Sequence, residues 1–143
     1  MNEIVSLLDL VPTLVQLTTG DKFPGHGRSL LPLLKGMEHN WQSEAFAECH
    51  GQRFNYTQRV LWSGDDKYVF NGFDEDELYD LAADPHEMHN LVGDPARRPV
   101  LESMSARMWE IMHQTGDSTM TQAQYGMFRF APVGPESDRW QIS

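Results

Sequence analysis

The chain has 143 residues, a formal net charge of −10, 40% hydrophobic residues and one cysteine. That length suffices to bury a core in one domain or a large subdomain. The acidic balance repels phosphate backbones, so nucleic acid is not expected as a partner. No apolar run approaches the ~18 residues of a membrane-crossing helix, and Cys49 alone can form no internal disulfide.

Met1 runs almost directly into the apolar segment 4–17, so no secretory leader is expected and the start reads as the middle of a domain. The compartment stays open. Asp9-Leu10-Val11-Pro12-Thr13-Leu14-Val15-Gln16-Leu17 predicts a helix capped by Asp9, with Pro12 in the first turn, where a missing N–H costs little. Leu10, Leu14 and Leu17 share one face, Val11 and Val15 lie beside them, and Gly20 supplies the stop. Pro24, Gly25 and Gly27 make residues 23–28 a loop. Residues 29–34 form a short apolar turn that ends at Gly36, and 37–42 a connector.

Four strands are expected next, at 44–49, 56–63, 67–73 and 77–81, carrying Phe46, then Tyr56, Val60 and Trp62, then Tyr68 and Phe70, then Leu78 and Tyr79. Ser63-Gly64-Asp65-Asp66 and Asp74-Glu75-Asp76 are hairpin turns by composition, which implies antiparallel pairing. A helix over 99–115 presents Leu101, Met104, Met108, Ile111 and Met112 as one stripe with Trp109 at its edge, and Gly116 ends it. The tail 117–143 has no strong period and reads as an extended arm packed through its aromatics. The expected fold class is α+β: a four-stranded antiparallel sheet packed by a C-terminal helix and preceded by a further helix.

Three pieces carry a family resemblance. The first is Ser6-Leu7-Leu8-Asp9-Leu10-Val11-Pro12-Thr13-Leu14. The second is Gly27-Arg28-Ser29-Leu30-Leu31-Pro32-Leu33-Leu34-Lys35-Gly36. The third joins Tyr56-Thr57-Gln58-Arg59-Val60 to Lys67-Tyr68-Val69-Phe70-Asn71-Gly72-Phe73, then Glu77-Leu78-Tyr79-Asp80-Leu81 and Asp84-Pro85-His86-Glu87-Met88-His89-Asn90-Leu91. In this order they resemble the C-terminal region of the sulfatase family, in the alkaline phosphatase superfamily.

The resemblance implies that residues 1–40 are the end of a sulfatase-like α/β catalytic domain, 41–116 the C-terminal sheet subdomain, and 117–143 an arm. It implies a partner, the N-terminal catalytic portion. That portion would carry a Cys- or Ser-x-Pro-x-Arg motif, whose first residue becomes formylglycine, and Asp and Asn ligands for a calcium-type ion. Neither cofactor is expected in this chain. A sulfate ester needs a strong nucleophile, and its developing charge needs a metal and cations. The chain would therefore complete the fold and wall the substrate pocket without hydrolysing sulfate esters unaided. The substrate would be a sulfated small molecule or sugar; phosphonate and phosphodiester hydrolases share the superfamily. The alternative is a free-standing binding or interaction module built on the same fold.

Candidate side chains cluster at the end of the first strand. In Cys49-His50-Gly51-Gln52-Arg53 the Cys and Arg have the nucleophile motif's spacing, but Gly51 stands where the motif has proline. A buried strand-end thiol is the favoured reading of Cys49. His50 and Arg53 sit in a Gly-containing loop between two strands, where a cation would hold an anionic or hydroxyl-rich group, and are the substrate-binding candidates. No catalytic residue and no metal ligand is assigned. His26 and Arg28 lie in a loop without the lysine of a phosphate-binding loop, so a plain connector is favoured. His86 and His89 are three apart, not the four of a zinc helix; a helical turn capped by Asp84, with Met88 and Leu91 packed inward, is expected there. Asp74-Glu75-Asp76-Glu77 lacks the spacing of a calcium loop and reads as a solvated turn.

Overall fold

In the computed structural model, residues 3–37, 41, 43–50, 57–71 and 74–117 are described. They belong to two compact units, Met1–Ala45 and Phe46–Ser143.

The first unit is organised by polar side chains. Ser6 caps a 3₁₀ turn, Leu7–Asp9: its Oγ accepts the Leu8 N–H at 3.2 Å, while Asp9 Oδ2 accepts the Ser6 N–H at 2.9 Å. This reciprocal box satisfies two donors that a helix start leaves unpaired. Ser6 thus caps the 3₁₀ turn, and Asp9 holds the N-cap position of the helix that follows but makes no side-chain capping bond to it, because its oxygens are spent on Ser6 and Arg28. Helix α1 follows, Leu10–Thr19, and ends at Gly20, whose φ of +80° suits glycine. Asp9 Oδ1 accepts the Arg28 N–H at 2.8 Å; Thr13 Oγ1 donates to the Asp9 carbonyl at 2.6 Å and accepts the Leu30 N–H at 2.9 Å. These bonds tie the 27–30 segment to the polar side of α1 and lead into the short helix α2, Leu31–Leu34. Gly27 makes the approach possible, since a Cβ there would lie 2.0 Å from the Leu8 carbonyl oxygen.

The second unit holds the sheet, strands β1 (Glu44–His50), β2 (Thr57–Ser63), β3 (Asp66–Asn71) and β4 (Glu77–Asp80), in the order β1-β2-β3-β4. The sheet is antiparallel, with Leu61 opposite Tyr68 and Tyr68 opposite Leu78, so one apolar row crosses three strands. Gly64, at φ +59°, is the first residue of the two-residue β2–β3 hairpin, the position where the favoured hairpin turns need a positive φ. Positions 56, 72 and 73, assigned to strands from the sequence, lie outside the described residues, as does the arm beyond Asp117.

Helix α3, Arg98–Thr115, lies on β2 and β3. Asp94 caps a 3₁₀ turn, Pro95–Arg97, which leads into α3, so Pro99 falls in the first turn and kinks nothing. Leu101, Met104, Ser105, Met108, Trp109 and Met112 are buried, a 3.6-residue stripe facing Leu61, Tyr68, Phe70 and Leu78. Trp109, at the edge of the stripe, belongs to the core with it. Its ring meets Phe70 edge-on at 5.6 Å, a pairing that adds about 1 kcal/mol to area burial.

Two local expectations are corrected. Residues 81–94 form turns, not a helical turn: Glu87 has φ +55°, the Asp84 carboxylate accepts the His89 N–H, and Met88 is 73% exposed. A left-handed residue breaks helical propagation. Leu91 does pack on the core. The acidic stretch 74–77 is likewise not a solvated turn, since Asp76 is fully buried.

Candidate functional site

Strand β1 carries the sequence-predicted site. His50 is the last residue of β1 and is exposed; its Nε2 lies 3.2 Å from Glu48 Oε2, two positions back on the same strand face. Glu48 Oε2 is in turn 4.0 Å from Nη2 of Arg59, whose side chain is wholly buried. The structure therefore joins His50 to a carboxylate and places that carboxylate beside a fixed guanidinium. Such a chain can orient an imidazole toward an anion or a hydroxyl group. Arg53, the second predicted contact, lies outside the described residues, as does Gly51. Cys49 is strand-borne but exposed, not buried. The reason is its position: residues 47–50 are exposed on both faces of β1, an edge strand.

The carboxylates of the sheet unit are committed elsewhere. Asp66 and Asp80 sit opposite each other across β3 and β4, and Arg97 bridges them. Burial holds Asp66 above the usual carboxylate range even though Arg97 pulls it back. Asp76 accepts the Tyr68 hydroxyl at 2.7 Å and the Asn71 N–H at 2.9 Å. Desolvation outweighs those two bonds and pushes its pKa up to about 6. Lys67 pairs with Glu87 at 2.5 Å. Among the described residues no group of three or more His, Cys, Asp or Glu side chains is placed to hold a metal ion. A calcium-type ion takes six to eight oxygens, so the described residues do not fit one.

The tail of the third sequence piece has a structural job. Asn90 Oδ1 accepts the N–H groups of Leu78 and Val92, each at 3.0 Å, and Asn90 Nδ2 donates to the Asp76 carbonyl at 3.0 Å. Together with the Leu91 N–H, which donates to the Leu78 carbonyl at 2.8 Å, this covers the free edge of β4.

The model of the N-sulphoglucosamine sulphohydrolase C-terminal family matches residues 1–114. The chain belongs to this sulfatase family. The sulfatase C-terminal region is thus matched from the 3₁₀ turn through nearly all of α3. Among curated relatives, the chain is 32% identical over 145 residues to the multifunctional alkaline phosphatase superfamily protein PehA of Trinickia caryophylli, covering 89% of this chain and 27% of that protein. It is 32% identical over 109 residues to arylsulfatase K of Xenopus laevis, covering 65% of this chain and 20% of the relative. Among solved structures, BT1596, a 2-O GAG sulfatase, superposes with a TM-score of 0.70 at 28% identity, over 79% of this chain and 26% of that one. This sulfatase-family chain thus spans between a fifth and little more than a quarter of these proteins. Among its described residues, no helix is long and apolar enough to cross a membrane.

Sequence reasoning missed one grouping in the N-terminal unit. A cleft of about 330 Å³ there is lined by Lys22, Phe23, Arg28 and Trp41, with Pro12, Gln16 and Pro32. From the sequence Arg28 reads as part of a plain connector. The available signal was two cations six residues apart, followed by a tryptophan, in a strongly acidic chain.

Proposed function

We propose that this chain acts as the C-terminal portion of a sulfatase-type sulfuric ester hydrolase of sulfated sugars, completing the enzyme's fold and walling one side of its substrate pocket. The observation that carries the proposal is the inverted burial of the N-terminal unit. It buries Asp9, Pro12 and Thr13, yet leaves Leu7, Leu8, Leu10, Val11, Leu14 and Leu17 between 49% and 83% exposed. A helix turns its apolar stripe toward whatever covers it. In this proposal the cover is a catalytic portion of the kind that makes up the rest of the larger relatives. The family's name, a sulphohydrolase of N-sulphoglucosamine, and the GAG sulfatase neighbour support a sulfated sugar as substrate.

The nucleophile and any metal belong to the catalytic portion, and this chain by itself turns nothing over. His50, displayed at the end of β1 and oriented by Glu48, contacts the substrate, and Arg53 is the second contact. Coexpression with the catalytic portion of PehA tests this. A one-to-one complex that hydrolyses an aryl sulfate, beside an inactive and self-associating lone chain, is the expected result. In the complex, His50→Ala should raise KM or lower kcat, while Cys49→Ser leaves both near wild type. A monodisperse monomer with a strongly protected α1 and no complex would favour the free-standing binding module instead.

A further inference from the structure

We propose that the cleft of the N-terminal unit binds an anionic saccharide unit, one that carries a sulfate or a carboxylate. Charge points there first. Among the described cations, Arg59, Lys67, Arg97, Arg98 and Arg107 each lie against a carboxylate. Lys22, Arg28 and Lys35 have no carboxylate partner among the described residues, and two of these three line one cleft. In a chain with 21 acidic and 11 basic residues, cations left without an internal partner mark where an external anion is held.

The geometry makes Arg28 a prepared ligand. Its guanidinium carbon lies over the Trp41 ring, 4.2 Å from the centroid, within cation–π range, and the residue is exposed, so its N–H groups can reach an oxyanion. The indole is fixed in turn, since Trp41 Nε1 donates to the Ile4 carbonyl at 2.8 Å. The Arg28 backbone is fixed by its N–H bond to Asp9. Asp9 spends its two oxygens on the backbone N–H groups of Ser6 and Arg28 and forms no ion pair with the guanidinium. Lys22 supplies a second positive charge at the same cleft.

The walls select a ring. Phe23, Trp41 and Pro32 are flat and apolar, while Gln16 adds an amide with no partner among the described residues. Alternating apolar faces and hydrogen-bonding groups match a sugar ring, which has C–H faces and an equatorial rim of hydroxyls. Glycine at position 25 leaves room for this wall: a Cβ there would lie 2.6 Å from the Phe23 ring as it is placed, and the ring would have to shift. A volume of about 330 Å³ is at the small end of ligand pockets and suits one ring more than an extended chain. The site lies in a different unit from His50 and requires no hydrolysis, so it stands or falls separately from the proposed activity.

The test is calorimetric titration of the full chain with a sulfated heparin-derived disaccharide, a neutral disaccharide of the same size and inorganic sulfate. The sulfated disaccharide should bind and the other two bind at least tenfold more weakly. Lys22→Ala with Arg28→Ala should weaken the sulfated ligand at least tenfold. Arg28→Lys, which keeps the charge but not the fork, should fall between. A folded state in each variant is checked by circular dichroism. In the unaltered chain, the Trp41 indole N–H resonance should shift on titration, a readout no variant can confound. Absence of binding by the sulfated disaccharide, equal affinity for inorganic sulfate, or binding unchanged in the double variant would each overturn the proposal.

Discussion

Arg59 on β2 and Asp117, one residue beyond the glycine that ends α3, form a buried ion pair. Nη2 and Nε of Arg59 lie 2.6 and 2.8 Å from the same Asp117 oxygen, and the arginine side chain is wholly buried. Arg59 Nη1 donates to the Gln58 carbonyl at 3.0 Å. The pair fastens the C-terminal end of the helix to the second strand, across 58 residues of sequence. It sits next to Glu48, and so links the helix terminus to the strand that displays His50.

Removing one partner of this pair leaves a buried charge without its counterion. Asp117→Ala should therefore destabilise the sheet unit by about 3–5 kcal/mol. Arg59→Met combined with Asp117→Ala should cost less than Asp117→Ala alone, because no uncompensated charge remains. Urea unfolding of the four members of this cycle measures both.

Asp76 makes stability depend on pH. Its folded-state pKa, about 6, lies above the usual carboxylate value, so the folded chain binds this proton more tightly than the unfolded one. Stability should fall as pH rises from about 4 to about 6 and level off above, a change of at most about 3 kcal/mol. Asp76→Asn holds the site neutral while still able to accept the Asn71 N–H, so it should flatten the profile over that interval. Thermal unfolding between pH 4 and 8 checks the sign and the loss of slope.

Gly27→Ala should loosen the N-terminal unit. The new methyl would overlap the Leu8 carbonyl, and relief of that overlap pulls Arg28 away from Asp9. A loss of roughly 1–3 kcal/mol is expected, visible as faster amide exchange at Arg28 and Leu30 with the β2 and β3 amides unchanged.

Asn90→Ala removes one acceptor from the Leu78 and Val92 N–H groups and one donor from the Asp76 carbonyl. Stranding these backbone groups should cost roughly 2–4 kcal/mol. Asn90→Asp keeps the acceptor and should recover part of that loss. Chemical denaturation of the two variants compares them.

Much of this architecture was legible in the residues themselves. The period-two pattern of β2 and β3, Gly64 in a two-residue turn, and the apolar stripe of α3 closed by Gly116 are local properties, set by how side chains alternate on a strand or recur on a helix. They located four strands and the long helix, and three short motifs carried the sulfatase resemblance. What only the tertiary structure decided are the pairings and the coverings. Asp9 looked like a helix cap, yet it bonds a loop 19 residues away. Asp76 looked solvated, yet the hairpin folds it against Tyr68. The 85–91 segment looked helical, yet Asp84 and a left-handed Glu87 turn it into the strap over β4. Cys49 looked buried, yet it lies at the exposed end of an edge strand. The placing of Arg28 over Trp41 likewise depends on the loop that Asp9 and Gly27 draw in. A hydrogen bond or a buried face belongs to two segments at once, and no window along the chain contains both.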